Sequence, residues 1–139
     1  MEEKGTQPAA SYSFKLILGG HETAGVFREA TADVEGEMVD LADVQKITGL
    51  NKAGDITLKR GVDTNKLLLK WREVIDHKGV DAARKDTQIQ LFDYKGAPVA
   101  TYSIINAWPK KYTGVGLAAG GNEAALEEIV IAHEGLKKA

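Results

Sequence analysis

The chain has no cysteine. That removes disulfides, zinc–thiolate centres and thiol nucleophiles together, and it fits assembly in a reducing compartment. Histidine is scarce. His21, His77 and His133 stand far apart, without a second histidine at i+4 or a flanking H-E-x-x-H, so they read as surface or interface residues. Aromatic residues are 6% of the chain, too thin for a base-stacking platform. Neither sign of charge dominates: the formal net charge is −2, which gives no electrostatic reason to expect nucleic acid or an anionic membrane. Long apolar runs are missing too. Ile129-Val130-Ile131-Ala132 is typical of them, far short of the ~20 apolar residues of a membrane helix. The start, MEEKGTQPAAS, lacks the basic residues and the apolar run of roughly 7–15 residues of a secretory signal. What is left is a soluble protein of 139 residues, made in the cytoplasm and long enough to bury one core without covalent staples.

What is present is alternation. Residues 1–11 read as a flexible arm. Tyr12, Phe14, Leu16 and Leu18 then alternate with Ser13, Lys15 and Ile17, the period of a strand. Residues 26–34 form a second expected strand, with Val26, Ala30, Ala32 and Val34 on one face, and Met38-Val39 begins a third. The stretch 40–54 carries loop residues yet keeps Leu41, Val44, Ile47 and Leu50, apolar groups that need cover from this domain or from a partner. A strand over 55–62 places Ile56 and Leu58 on one face, Thr57 and Lys59 on the other. Leu67, Leu68, Trp71, Val74 and Ile75 make the stripe of an amphipathic helix, capped by Asp63 or Thr64 and stopped at Gly79. Strands over 85–93 and 99–108 form a hairpin, with Thr87, Ile89 and Leu91 alternating against Gln88 and Gln90, and Pro109 ends the pairing. Residues 124–134 are ambiguous between helix and strand. Six or seven strands with one helix point to a β-sandwich or barrel.

The stretch Gly114-Val115-Gly116-Leu117-Ala118-Ala119 fits G-x-G-x-x-G/A, the dinucleotide-binding fingerprint. Its context does not. A βαβ unit takes about 30 residues, more than run from Gly114 to Ala139, and no parallel unit lies upstream. There is no P-loop and no G-x-S-x-G elbow. Glu127 and Glu128 would face opposite ways on a strand and make no dyad. Lys59-Arg60 and Lys110-Lys111 read as solvated or ion-pairing residues. No catalytic residue, metal ligand or cofactor site is expected.

Three blocks, in series, carry more information. They are Ile47-Thr48-Gly49-Leu50 with Asp55-Ile56-Thr57-Leu58-Lys59-Arg60-Gly61-Val62; Asn106-Ala107-Trp108-Pro109; and Gly121-Asn122-Glu123 followed by Ala132-His133-Glu134-Gly135-Leu136. In this order the chain resembles the tail tube proteins of contractile phage tails and of the related extracellular contractile injection systems, over about residues 12–137. It departs from them at Phe27-Arg28-Glu29-Ala30-Thr31-Ala32, which lacks the Ser-Gly of an F-x-E-V-S-G-L-like segment. Ala9-Ala10-Ser11-Tyr12 replaces the usual proline-containing start.

The resemblance implies a mainly β fold: an antiparallel barrel or sandwich of six to eight strands in one domain, 12–137, flanked by one α-helix. It makes 124–134 a strand. Six copies would form a ring whose sheets join into an inner barrel, and rings would stack into a tube inside a sheath. The expected partners are sheath, baseplate or spike and tube-terminator proteins, with a ruler protein or cargo in the lumen. No specific nucleic-acid binding is implied. The particle would be a phage tail or an extracellular or cytoplasmic contractile machine. Leu41, Val44, Ile47 and Leu50 become candidates for ring-to-ring contact. Thr57, Lys59, Gln88 and Gln90 become candidates for the lumen, and Leu58, Trp71, Trp108 and Pro109 structural signature residues. Two alternatives stand beside this reading: a tube initiator or baseplate-proximal variant of the same fold, and a small-ligand-binding β-barrel with Trp108 at the pocket mouth.

Overall fold

The computed structural model describes residues 12–20, 22–44, 53–61, 66–114 and 126–138. Their order is β1 (Ser13–Leu18), β2 (Glu22–Phe27), β3 (Glu29–Val34), β4 (Glu37–Asp40), α1 (Leu41–Val44), β5 (Ile56–Gly61), α2 (Leu67–Lys78), α3 (Val80–Ala83), β6 (Lys85–Phe92), β7 (Pro98–Thr113), β8 (Leu126–Ala132) and β9 (Gly135–Lys138). The described residues thus hold nine strands, more than the six to eight expected, because the chain of 26–34 divides at Arg28 and a strand follows His133-Glu134.

Every pairing is antiparallel, in the order β2-β1-β6-β7-β8-β5-β3-β4, with β9 on β7. Two strands turn this path into a barrel. β7 gives its first part to β6 and its last part to β8. β2 and β3, separated only by Arg28, pair with β1 and β5 respectively. Each bent segment therefore belongs to both halves of the barrel. β4 and β9 extend it.

The bend in β7 has a local cause. Asn106 takes φ +50, a left-handed conformation that asparagine tolerates better than most residues. Its backbone N–H donates to Asp86 Oδ1 at 3.0 Å and its side-chain amide to Glu134 Oε1 at 2.8 Å. Pairing does not end at Pro109. That residue is buried inside β7 opposite Ile131, at a register shift before Lys111. The irregularity absorbs the missing N–H, as proline in a sheet requires.

Inward positions follow the alternation. Phe14, Leu16 and Leu18 of β1, Ile56 and Leu58 of β5, Ile89 and Leu91 of β6 and Ile129 and Ile131 of β8 are buried together. Val26 does not join them. It is 51% exposed, because β2 turns Ala24 and Phe27 inward instead. The strand over 126–132 overrides the helix propensity of its alanines and glutamates, since Ile129 and Ile131 fit the alternating face of a sheet.

α2 buries Leu68 and Trp71 and half-buries Leu67, Val74 and Ile75. Lys66 occupies its N-cap without a side-chain bond, and Asp63 and Thr64 lie outside the described residues. The N–H of Gly79 closes the last turn on Ile75 O at 2.9 Å. Trp71 is 2% exposed, and its indole N–H donates to Ala83 O at 2.7 Å, tying α2 to α3. Trp71→Ala removes a buried aromatic and strands a carbonyl. A loss of about 3–5 kcal/mol is expected in chemical denaturation; a loss under about 1 kcal/mol contradicts this placement.

Candidate assembly surfaces and a buried polar strut

The strand period that buries Ile56 and Leu58 also turns Arg60 inward, and the period of β8 turns Glu127 inward beside Ile129 and Ile131. The two are directly opposed across the β5–β8 ladder. Arg60 Nε donates to Glu127 Oε1 at 2.6 Å, with both side chains at 3% exposure or less. Arg60 Nη1 donates to the carbonyl of Ala24 in β2 at 2.5 Å, and the guanidinium stacks 4.2 Å from the Phe27 ring centre. From the far side, Tyr112 Oη in β7 donates to Glu127 Oε2 at 2.5 Å. The result is a polar strut running β2–β5–β8–β7. It joins the two bent segments that close the barrel.

A buried ion pair earns its place only if its hydrogen bonds are met. Here both Glu127 oxygens have a charged or hydroxyl donor. Burial first, and then the Glu127 hydrogen bond and charge, push the Tyr112 hydroxyl pKa well above its usual 10. The first residue of the glycine-rich stretch serves this arrangement. A Cβ on Gly114 would collide with the Tyr112 hydroxyl and ring, so only glycine lets the ring lie back across the chain.

The described parts of the three blocks singled out in the sequence meet around the bend of β7. Arg84 stacks on the Trp108 ring at 4.3 Å and bonds Glu134 at 3.1 Å, while Glu134 also holds Asn106. His133 Nε2–H donates to the carbonyl of Gly54 at 2.7 Å. Lys110 pairs with Asp55 at 2.9 Å, which raises the lysine pKa through the hydrogen bond and the carboxylate charge. Gly54 N–H bonds Asp33 O at 2.6 Å, so the segment 53–55 is fastened to β3, β7 and the β8–β9 junction.

Other sequence candidates fall differently. Leu41 and Val44 are fully buried in α1, within the subunit's own core, where Leu41 O accepts from Tyr102 Oη at 3.2 Å. They have no surface to offer a neighbouring ring. Ile47 and Leu50 lie outside the described residues. Leu58 is buried and Trp108 half-buried. Thr57 and Lys59 are on the outer face of β5, Gln88 and Gln90 on the outer face of β6. β5 and β6 stand three steps apart around a barrel of six positions, so these two pairs point away from each other and cannot share one lumen. The faces also differ in kind. On the β5 side, register sets Lys59 between Glu29 and Glu128, whereas on the β6 side Gln88 and Gln90 face Ser103 and Thr101.

The sequence reads Arg60 only as solvated or ion-pairing and gives Glu127 and Tyr112 no partner. The signal was parity: Arg60 shares the phase of Ile56 and Leu58, and Glu127 that of Ile129 and Ile131. Among the described residues, no group of three His, Asp or Glu residues is placed to hold a metal ion, and no helix is long and apolar enough to cross a membrane.

The described residues form an antiparallel β-barrel closed by two bent segments, with a helix at its side. The family model for the T4-like virus tail tube protein gp19 matches residues 25–137. The chain belongs to that tail tube family. In fold it is similar to a chain of the PVC sheath–tube complex of an extracellular contractile injection system in the extended state. The TM-score is 0.59 at 22% identity, over 91% of this chain and 87% of that one. It is similar to a chain of the anti-feeding prophage tube-terminating cap, with TM-score 0.59 at 21% identity over 100% and 94%. Hcp1 from Flavobacterium johnsoniae shares the fold with TM-score 0.56 at 12% identity over 91% and 94%. No curated protein sequence matches significantly.

Because Tyr112 holds its proton more tightly when folded than when unfolded, its contribution is complete below about pH 10, the free tyrosine value. It fades as pH rises from there towards the folded value. Tyr112→Phe should flatten this alkaline loss in urea melts collected from pH 8 to 11.5. Glu127→Ala, which leaves Arg60 buried without its carboxylate, should lose about 3–5 kcal/mol at neutral pH. An unchanged midpoint would contradict the strut.

Proposed function

We propose that the chain is the structural subunit of the inner tube of a contractile injection system or contractile phage tail, and has no enzymatic role. Six copies close into a ring, rings stack into a tube, and a sheath surrounds it. The baseplate or spike lies at one end and a terminator at the other. A ruler or cargo occupies the lumen. Subunits are made and assembled in the cytoplasm, as one domain over 12–137 with an arm at 1–11. Mechanism here is mechanical: the tube transmits the stroke of sheath contraction and guides what passes through it.

The observation that carries the ring is a pair of open edges. On the β5 side of the barrel the sheet ends at β4 and at the last part of β7, beyond the final β6 contact at Ala107. β4 carries Glu37 and Asp40; the β7 edge carries Lys110 and Lys111, all four exposed. Two unlike edges of opposite charge on one subunit favour pairing between copies, and a repeated unlike contact closes into a ring when its rotation allows. The sheet so extended would place Glu29, Thr57, Lys59 and Glu128 on one continuous face, which we assign to the lumen in place of Gln88 and Gln90. Ile47 and Leu50 remain our candidates for stacking contact. Their neighbours on either side, α1 and 53–55, are fixed to the barrel.

Charge reversal tests the ring. Lys111→Glu should leave melting unchanged but give monomers in sedimentation and no rings by negative-stain microscopy. Adding Glu37→Lys and Asp40→Lys should restore rings. Wild-type rings from Lys111→Glu alone would refute the edge contact. A wild-type chain that stays monomeric at high concentration and binds a hydrophobic dye stoichiometrically would favour the ligand-binding barrel.

A further inference from the structure

The β6–β7 hairpin carries two features that nothing above uses, and they sit at its opposite ends. At the tip, Tyr94 is 72% exposed and Val99 40%, with Pro98 exposed between them. An exposed apolar tip is ordinarily mobile, but this one is built rigid. Asp93 Oδ1 accepts from the N–H groups of Lys95 and Ala97, each at 2.9 Å. Asp93 N–H donates to Ala97 O and Gly96 N–H to Asp93 O, both at 2.9 Å. Gly96 supplies the φ of +85 that the turn requires. Lys95 lies 5.6 Å from the Tyr94 ring centre, so the tip presents an aromatic with a cation beside it.

At the other end, about 17 Å away along β6 from Asp93 to Gln88, lies a groove of about 730 Å³. Its walls include Glu22, Asp86, Gln88 and Ser103, with Ile105 among its apolar lining. The β1–β2 turn at Gly19-Gly20 forms part of its rim and contributes no side chains. Glu22 and Asp86 give this end two carboxylates against one lysine, Lys85, paired to Glu22 at 3.5 Å. The groove is large enough for a tyrosine side chain and has the charge sign that suits Lys95.

We propose that the hairpin tip of one copy docks into this groove on a second copy of the same chain, Tyr94 entering the cavity and Lys95 facing Glu22 and Asp86. Knob and socket lie towards opposite ends of the β6–β7 pairing. The contact is therefore head-to-tail and does not close on itself, which is the geometry that propagates a filament. It rests on the tube reading above and adds to it one specific stacking contact between copies. This contact is separate from the edge contact within a ring.

The absence of cysteine makes the test direct. In a chain carrying Tyr94→Cys and Glu22→Cys, the two thiols are at least about 15 Å apart within a subunit along β6. That is too far for an internal disulfide. Oxidation of assembled protein should give a ladder of linked dimers, trimers and higher species on non-reducing gels. Each single variant has no second thiol across the contact and should run as monomer. Tyr94→Ser should keep the wild-type melting temperature and form rings that do not elongate. Tubes from the double variant without a ladder, or normal tubes from Tyr94→Ser, would overturn the proposal while leaving the tube reading intact. Failure of the wild-type chain to form rings or tubes would remove the tube reading, and this contact with it.

Discussion

The structure depends on the contact between Arg60 and Glu127. A barrel of this kind is closed by two strands that change sheets, and such corners are where pairing is weakest. The strut reaches both: Arg60 holds the carbonyl of Ala24 at one corner, and Tyr112 meets Glu127 at the other. An ion pair inside an apolar core is a poor way to add stability, since hydrophobic residues of similar volume often do as well. It is a good way to fix one arrangement. A register slip of one residue on β5 or β8 would carry Arg60 or Glu127 to the outer face and leave the other buried and alone. The pair therefore ties the outer faces and open edges of the sheet to a single register.

That constraint gives structural work to residues of the three sequence blocks and their neighbours. Asn106 is there because a bend needs a left-handed residue with an amide to spare; Glu134 holds that amide and Arg84 together; His133 fastens Gly54. Gly114 admits the Tyr112 ring. The glycine stretch that imitates a nucleotide fingerprint thus begins with a packing requirement. Together these contacts hold one frame, in a chain that belongs to the tail tube family.

Much of the frame was legible in the sequence. Alternation revealed β1, β5 and β6, and the stripe around Trp71 revealed α2, because each buries one face against one core. Three differences share a cause. Alternation sets Val26 on the face of Ala30, Ala32 and Val34, Pro109 reads as the end of pairing, and Leu41 and Val44 read as candidates for ring-to-ring contact. Each sits where the chain departs from a regular element: a bent strand, a register shift, a four-residue helix. Local pattern carries no information about such departures, which are set by what the chain meets across the barrel. Arg60 and Glu127 differ for the opposite reason. Their parity is plain and Arg60 reads as solvated or ion-pairing, but only the register between strands β5 and β8 shows that each is the other's partner.

On the proposed reading, the two open edges of the β5-side sheet meet between copies, so that one continuous sheet runs around a ring. Backbone hydrogen exchange on assembled and dissociated protein reads this directly, because a new ladder protects amides that were open to water. Amides of Glu37–Asp40 and of residues 110–113 should slow markedly on assembly, while those of β6, already paired on both sides, change little. Assembled tubes in which both edges exchange as fast as in the free subunit would contradict it.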